Sequence, residues 1–157
     1  MNDTPQAATP PAPERSVTVS RVLSAPRELV YRAWVEPEQF AYWFGAELEV
    51  PQETLSLDVR PGGPWTATML QGDEKLLFAG EYLEVEPPSR LKMTFEDTFN
   101  TPPTDETQTL TVTFSEVADG TEVTLTQVGP MPDGMPEGLT QGYNSFMDKL
   151  AELLASA

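Results

Sequence analysis

The sequence predicts an α+β fold: a first strand, two short helices, an antiparallel meander of about six strands, and a long C-terminal helix. Three observations predict it. From Leu55 to Leu125 apolar and polar residues alternate in short runs, the period of half-buried strands. Turn chemistry of hairpin length separates those runs, which makes neighbouring strands antiparallel. From about Glu137 the apolar residues step by three and four instead, the period of a helix.

Met1 to Glu14 (MNDTPQAATPPAPE) is rich in Pro, Ala and Thr and has no period, so residues 1–15 are expected to form a flexible leader ahead of one domain, 16–157. Val17 and Val19 alternate with Thr18 and Ser20 as a strand. Ser24-Ala25-Pro26 opens a helix with Ser24 as its cap, and Leu29, Val30, Ala33 and Trp34 form its apolar face. Glu36-Pro37 breaks that helix and starts a shorter one, PEQFAYWF, which Gly45 stops.

The strand runs follow. Leu55, Leu57 and Val59 lead to the turn Arg60-Pro61-Gly62-Gly63, and Trp65, Ala67 and Met69 lead to Gln71-Gly72-Asp73. A longer strand, Lys75 to Glu86, ends at Pro87-Pro88. Its facing is ambiguous, because Phe78 and Tyr82 share a parity with Gly80 while Leu83 and Val85 hold the other; a bulge near Gly80 would explain both. Leu91, Met93 and Phe95 alternate next, then Asn100 to Glu106 forms a polar loop. Leu110, Val112 and Phe114 alternate with threonines, Asp119-Gly120 turns the chain, and Val123 and Leu125 return. One face of the sheet is therefore apolar and the other threonine-rich. After the irregular crossing Gly129 to Pro136, the apolar side of the last helix carries Leu139, Tyr143, Phe146, Met147, Leu150, Leu153 and Leu154.

The chain has 157 residues, enough for one domain with a proper core. Nine Lys and Arg against 25 Asp and Glu leave a net charge of −16, which argues against nucleic acid and against anionic membrane surfaces. With no Cys and no His, disulfides, thiol nucleophiles, imidazole acid–base catalysis and His- or Cys-based zinc sites are excluded. No apolar run is long enough to span a bilayer and no secretory pattern opens the chain, so a cytoplasmic location is expected. No cofactor is expected, since the acidic residues show no calcium-loop spacing and Gly62-Gly63 lacks the companions of a phosphate loop.

Several fragments in one order sharpen this reading: Trp34 with Glu36-Pro37-Glu38; Trp43-Phe44-Gly45; Asp58-Val59-Arg60-Pro61-Gly62-Gly63-Pro64-Trp65; Gly80 to Pro88 (GEYLEVEPP); Arg90-Leu91; Gly120-Thr121; and Gly142-Tyr143. Together they resemble the START-like (SRPBCC) superfamily, in the branch similar to the C-terminal domain of the activator of the ninety-kilodalton heat-shock protein ATPase. The resemblance covers about Ser16 to Leu154 and departs from the family pattern at Ala46 and Tyr143, where Pro and Trp are frequent. It implies a helix-grip fold, with a curved antiparallel sheet gripping the long helix around an internal apolar cavity. The activator's separate chaperone-engaging domain has no counterpart here.

The expected ligand is a small apolar or amphipathic molecule, and a homodimer is compatible with the sequence. The expected cavity residues are Trp43, Trp65, Met69, Phe78, Met93, Phe95, Phe114, Gln127, Tyr143, Phe146 and Met147, against the competing reading of an ordinary packed core. Gln127 continues the inward parity of Val123 and Leu125, and a buried amide there must find a partner. Asp58 and Arg60 read as a turn brace. A binding role is favoured over catalysis. The enzymatic alternative, of the cyclase or dehydratase type found among START-like proteins, needs a carboxylate base, for which Glu81 is the candidate if it faces the cavity. A co-chaperone or stress-related interaction module is the third reading.

Overall fold

A computed structural model describes residues 13–44, 48–97, 108–131 and 133–155, without the side chains of residues 76 and 95–97. Residues 1–12 of the expected leader, the whole expected polar loop Asn100 to Glu106, and Gly45 lie outside that description. The chain runs β1 (Glu14–Leu23), α1 (Arg27–Val35), α2 (Pro37–Trp43), a single turn of 3₁₀ helix (Gln52–Thr54), β2 (Ser56–Leu57), β3 (Pro64–Gln71), β4 (Glu74–Glu86), β5 (Arg90–Asp97), β6 (Gln108–Val117), β7 (Gly120–Pro130) and α3 (Met135–Ala155). The strands form one antiparallel seven-stranded sheet in the order β1-β7-β6-β5-β4-β3-β2. This is the helix-grip α+β architecture.

Sheet register shows why one face is apolar. Thr121, Val123, Leu125 and Gln127 of β7 are buried, and so are Gln108, Leu110, Val112 and Phe114 of β6. On the other face Thr18 meets Thr126 at 3.4 Å and Ser20 meets Thr124 at 3.0 Å, hydroxyl to hydroxyl. Strand β1 begins at Glu14, two residues before the alternation becomes legible, because Glu14 and Arg15 already pair with Pro130 and Gly129. Arg21 of β1 donates to Asp148 at 2.6 Å and to the Asn144 side chain at 3.2 Å, tying the edge strand to α3.

Three local expectations are corrected. Ser24 does not cap α1: Pro26 is the extended residue before the first turn, and Ser24 lies too far upstream for its hydroxyl to reach the first helical amides. The strand expected over Leu55 to Val59 is reduced to Ser56–Leu57, since the backbone already turns through Arg60 N–H to Asp58 O and Gly63 N–H to Arg60 O. Helix α3 starts at Met135 rather than near Glu137, following Gly134 in the left-handed region at φ +90°.

The ambiguous facing of β4 has a physical cause. Its register against β5 shifts between Tyr82 and Glu84, a bulge that puts Tyr82 and Val85 on the inner face and leaves Leu83 exposed. At Gly80 the neighbouring strands come unusually close. A Cβ there would lie 1.9 Å from the Thr94 carbonyl oxygen and 2.5 Å from Trp65 Nε1. Trp65 indeed donates across this glycine to Thr94 O at 2.9 Å, and Thr94 Oγ1 accepts from Glu81 N–H at 2.9 Å.

Candidate functional site

The space between the sheet and α3 is where the fold offers a ligand site, and aromatic residues decide how much of it remains open. Helix α2 presents Phe40 and Trp43, with Phe44 just beyond it, at helical spacing toward that space, and all three are at most 3% exposed. Trp43 packs on Trp34 with ring centroids 4.4 Å apart, Phe40 on Phe44 at 4.6 Å, and Phe40 on Trp43 at 4.8 Å. Trp43 Nε1 donates to Ala33 O at 2.8 Å, which locks α2 against α1. Behind these rings the interior void is only about 10 Å³, walled by Trp34, Trp43, Trp65, Met93, Leu110 and their neighbours. That is barely a water's worth of space.

The open volume lies further out. A groove of about 170 Å³ runs between β3–β4 and the first turns of α3, lined by Met69, Phe78, Gly138, Leu139, Gly142, Tyr143 and Phe146. Gly138 and Gly142 are four residues apart and so share a helix face. A Cβ at either would meet nothing within 4 Å. Glycine in a helix interior destabilises it by about 1 kcal/mol relative to Ala, and here the missing side chains leave room rather than relieve crowding.

A buried polar relay borders this groove. Tyr143 Oη donates to Gln127 Oε1, Gln127 Nε2 donates to Gln108 Oε1 at 3.1 Å, and Gln108 Nε2 donates to Pro130 O at 2.7 Å. Gln127 is thus inward, as its parity demands, and the alternative that it stands in solvent is overturned: β7 continues three residues past it. Its amide is satisfied by protein on both sides. Burial raises the Tyr143 phenol above its ordinary value, so it serves as a neutral hydrogen-bond donor and not as a base. Tyr82 is raised likewise, first by burial, then by Tyr31 and Asp58.

The structure separates the expected cavity residues into groups. Met69, Phe78, Tyr143 and Phe146 come together at the groove. Trp43, Trp65 and Met93 wall the small inner void, which Tyr143 and Phe146 also reach. Phe114 stacks edge-on against Tyr31 at 5.5 Å, Met147 is 1% exposed, and neither lines the groove. The Phe95 side chain lies outside the described residues. The internal apolar cavity implied by the family resemblance is reduced to a void of about 10 Å³, because Phe40 and Trp43 of α2 and Phe44 after it fill the centre, and an outer groove offers the wider space. Sequence reasoning passed over Gly138, whose only signal was a glycine within a helical period, and left Leu139 and Gly142 off the candidate wall.

Glu81 is exposed, opposite Pro64 on the neighbouring strand. Among the described residues no carboxylate lines the groove, so none of them supplies there the base that the enzymatic alternative requires. Asp58 and Arg60 form the expected brace, with Arg60 Nε 3.0 Å from Asp58 Oδ2 at the surface. Among the described residues no helix is long and apolar enough to cross a membrane.

Comparisons with known proteins agree with this architecture. A solved structure from Chromobacterium violaceum is similar, with 31% identity, a TM-score of 0.80, and 88% of this chain matched to 96% of that one. An uncharacterised protein from Rhizobium leguminosarum shares 26% identity at TM-score 0.80, over 93% of this chain and 97% of the other. A Silicibacter pomeroyi protein at 23% identity and TM-score 0.77, covering 90% and 98%, shows the same fold. None of the curated proteins matches the chain. The family model described as Activator of Hsp90 ATPase homolog 1-like protein matches residues 24–155, and the chain belongs to that family.

Proposed function

We propose that this protein binds a small apolar or amphipathic molecule in the groove between β3–β4 and the start of α3. The observation that carries the reading is the pair Gly138 and Gly142, which holds one wall of an apolar groove of about 170 Å³ open at the expense of helix propensity. An apolar cavity of about 150 Å³ accommodates benzene, so the groove suits one ring or a short acyl segment, with any polar end left in solvent. Met69 and Phe146 supply adaptable and flat contact surface.

The test is titration with benzylacetone, a neutral aryl ketone, followed by amide NMR. Signals of Gly138, Leu139 and Gly142 are expected to move on addition. Replacing Gly142 by Leu fills the groove where no atom stands in the way, so it should weaken binding roughly tenfold or more while leaving the unfolding midpoint unchanged or higher. Unaltered affinity in Gly142→Leu would overturn the proposal. The co-chaperone reading rests on the family description alone; purified protein is expected to leave the chaperone's ATPase rate unchanged, and stimulation of that rate would restore it.

A further inference from the structure

The two edges of the sheet are finished differently. At one edge β2 is only two residues long, Ser56–Leu57, and the chain turns directly after it. At the other edge β1 runs for ten residues, and all ten pair with β7 without a break in register. Natural sheets blunt a free edge with short strands, bulges, prolines or edge lysines. The β1 segment ERSVTVSRVL has no proline and no lysine, and its ladder has no bulge. Beyond that ladder, among the described residues, one further backbone bond reaches the strand, from Ala25 N–H to Leu23 O. From Glu14 to Val22, every second residue therefore turns its N–H and C=O away from β7 with no backbone partner.

The helix beside this edge leaves it open at its start. Arg21 is tied to Asp148 and Asn144, so α3 grips the far half of the strand. At the near half a cleft of about 490 Å³ separates Ser16, Val17 and Thr18 from the first turns of α3. Charge also marks the strand. From Arg15 to Arg27 the chain places three of its nine basic residues and no acidic one, against a net charge of −16 overall. Two such acidic chains repel each other least where they meet along this segment.

We propose that this edge is a dimer interface, at which β1 pairs antiparallel with β1 of a second copy about a two-fold axis at Thr18. The pairing joins two seven-stranded sheets into one. Identical strands meeting antiparallel are self-complementary by symmetry. A register about Thr18 sets Ser16 against Ser20 of the second copy and Val17 against its Val19. Hydroxyls then continue along the outer face and valines along the inner one. Hydroxyl pairs of this kind already join β1 to β7, at Thr18–Thr126 and Ser20–Thr124. Val22 is 48% exposed, the most of any large apolar side chain among the described residues, and it comes opposite Glu14 of the second copy. Arg15 comes opposite Arg21 of the second copy, and each arginine holds its own carboxylate, Asp133 and Asp148 respectively. The pairing uses no residue of the groove between β3–β4 and α3, so it is independent of the ligand.

Sedimentation velocity of the full chain over a micromolar-to-millimolar series tests this. A reversible monomer–dimer equilibrium is expected, with amide hydrogen exchange in β1 slowing as concentration rises. Thr18→Glu puts two carboxylates against each other at the axis and should weaken the dimer roughly tenfold or more. Thr18 is exposed, so circular dichroism of that variant should match the unmodified protein. The chain has no Cys, so Thr18→Cys supplies one thiol per copy. Across the axis the two Cα atoms would lie about 4.5–5.5 Å apart, within reach of a disulfide. Air oxidation should therefore link Thr18→Cys into a covalent dimer and leave Val22→Cys, far from the axis, unlinked. A chain that stays monomeric throughout the series overturns the proposal. So does a dimer that Thr18→Glu leaves equally tight, or a Thr18→Cys protein that links no faster than Val22→Cys.

Discussion

Along α3, Met135 to Gly142 contributes no buried side chain, whereas Tyr143, Met147 and Leu150 are each 5% exposed or less. One helix thus meets the same layer of strands in two ways. The later turns interlock with a core that includes Val112, Val123 and Leu125, all at most 1% exposed. The earlier turns carry two glycines and leave a gap opposite Met69 and Phe78. The difference teaches that burial and vacancy were allotted by residue size along a single element: stability is concentrated after Tyr143, and open space before it.

That contrast can be broken or sharpened. Met147→Ala removes a fully buried side chain from the tight half, and urea unfolding should report a loss of about 2–5 kcal/mol. A loss under 1 kcal/mol would mean the tight half is looser than described. Gln127→Leu strikes the boundary between the halves, leaving the Tyr143 hydroxyl and the Gln108 amide oxygen without partners; about 1–3 kcal/mol should be lost by the same measurement.

Raising pH tests the burial of the phenols. Tyr31, Tyr82 and Tyr143 all lie above the ordinary value of 10.0, so each favours its neutral form in the folded state. Their contribution is complete below pH of about 10 and is lost above it, because the unfolded chain ionises first. Circular dichroism and the tyrosinate absorbance of these three phenols should therefore change together on the alkaline side. Tyrosinate absorbance beyond that of the one exposed phenol, Tyr42, well before the fold is lost would contradict the burial. The smallest effect has the opposite sign: Gly142→Ala in the open half should raise stability by about 0.5–1 kcal/mol, and a decrease would show that the gap is less open than it looks.

The fold was legible wherever one period ran unbroken. Val123, Leu125 and Gln127 alternate without interruption, and Tyr143, Met147 and Leu150 keep helical steps, so strand, helix and facing could be read directly. Legibility failed where a single local event shifted the phase, as the bulge after Tyr82 does for β4, or where backbone turning pre-empted a pattern, as at Asp58. The site was harder for a different reason. Phe40, Trp43 and Phe44 read as apolar in any position, and their depth of insertion depends on how α2 docks rather than on their own spacing. The partners of Gln127 come from β6 and α3, 19 and 16 residues away, a pairing that periodicity does not encode. Glycines that create space look the same in sequence as glycines that relieve crowding.

The crossing of Trp65 over Gly80 has a consequence for the sheet as a whole. Between the pairs Ala79–Glu96 and Tyr82–Met93 the seam joining β4 to β5 is fastened by an indole and a threonine hydroxyl. The hairpin that walls the groove is in that sense buttoned to the rest of the strands, and the buttonhole is a residue that admits no side chain. Position 80 stays closed to every amino acid except the smallest.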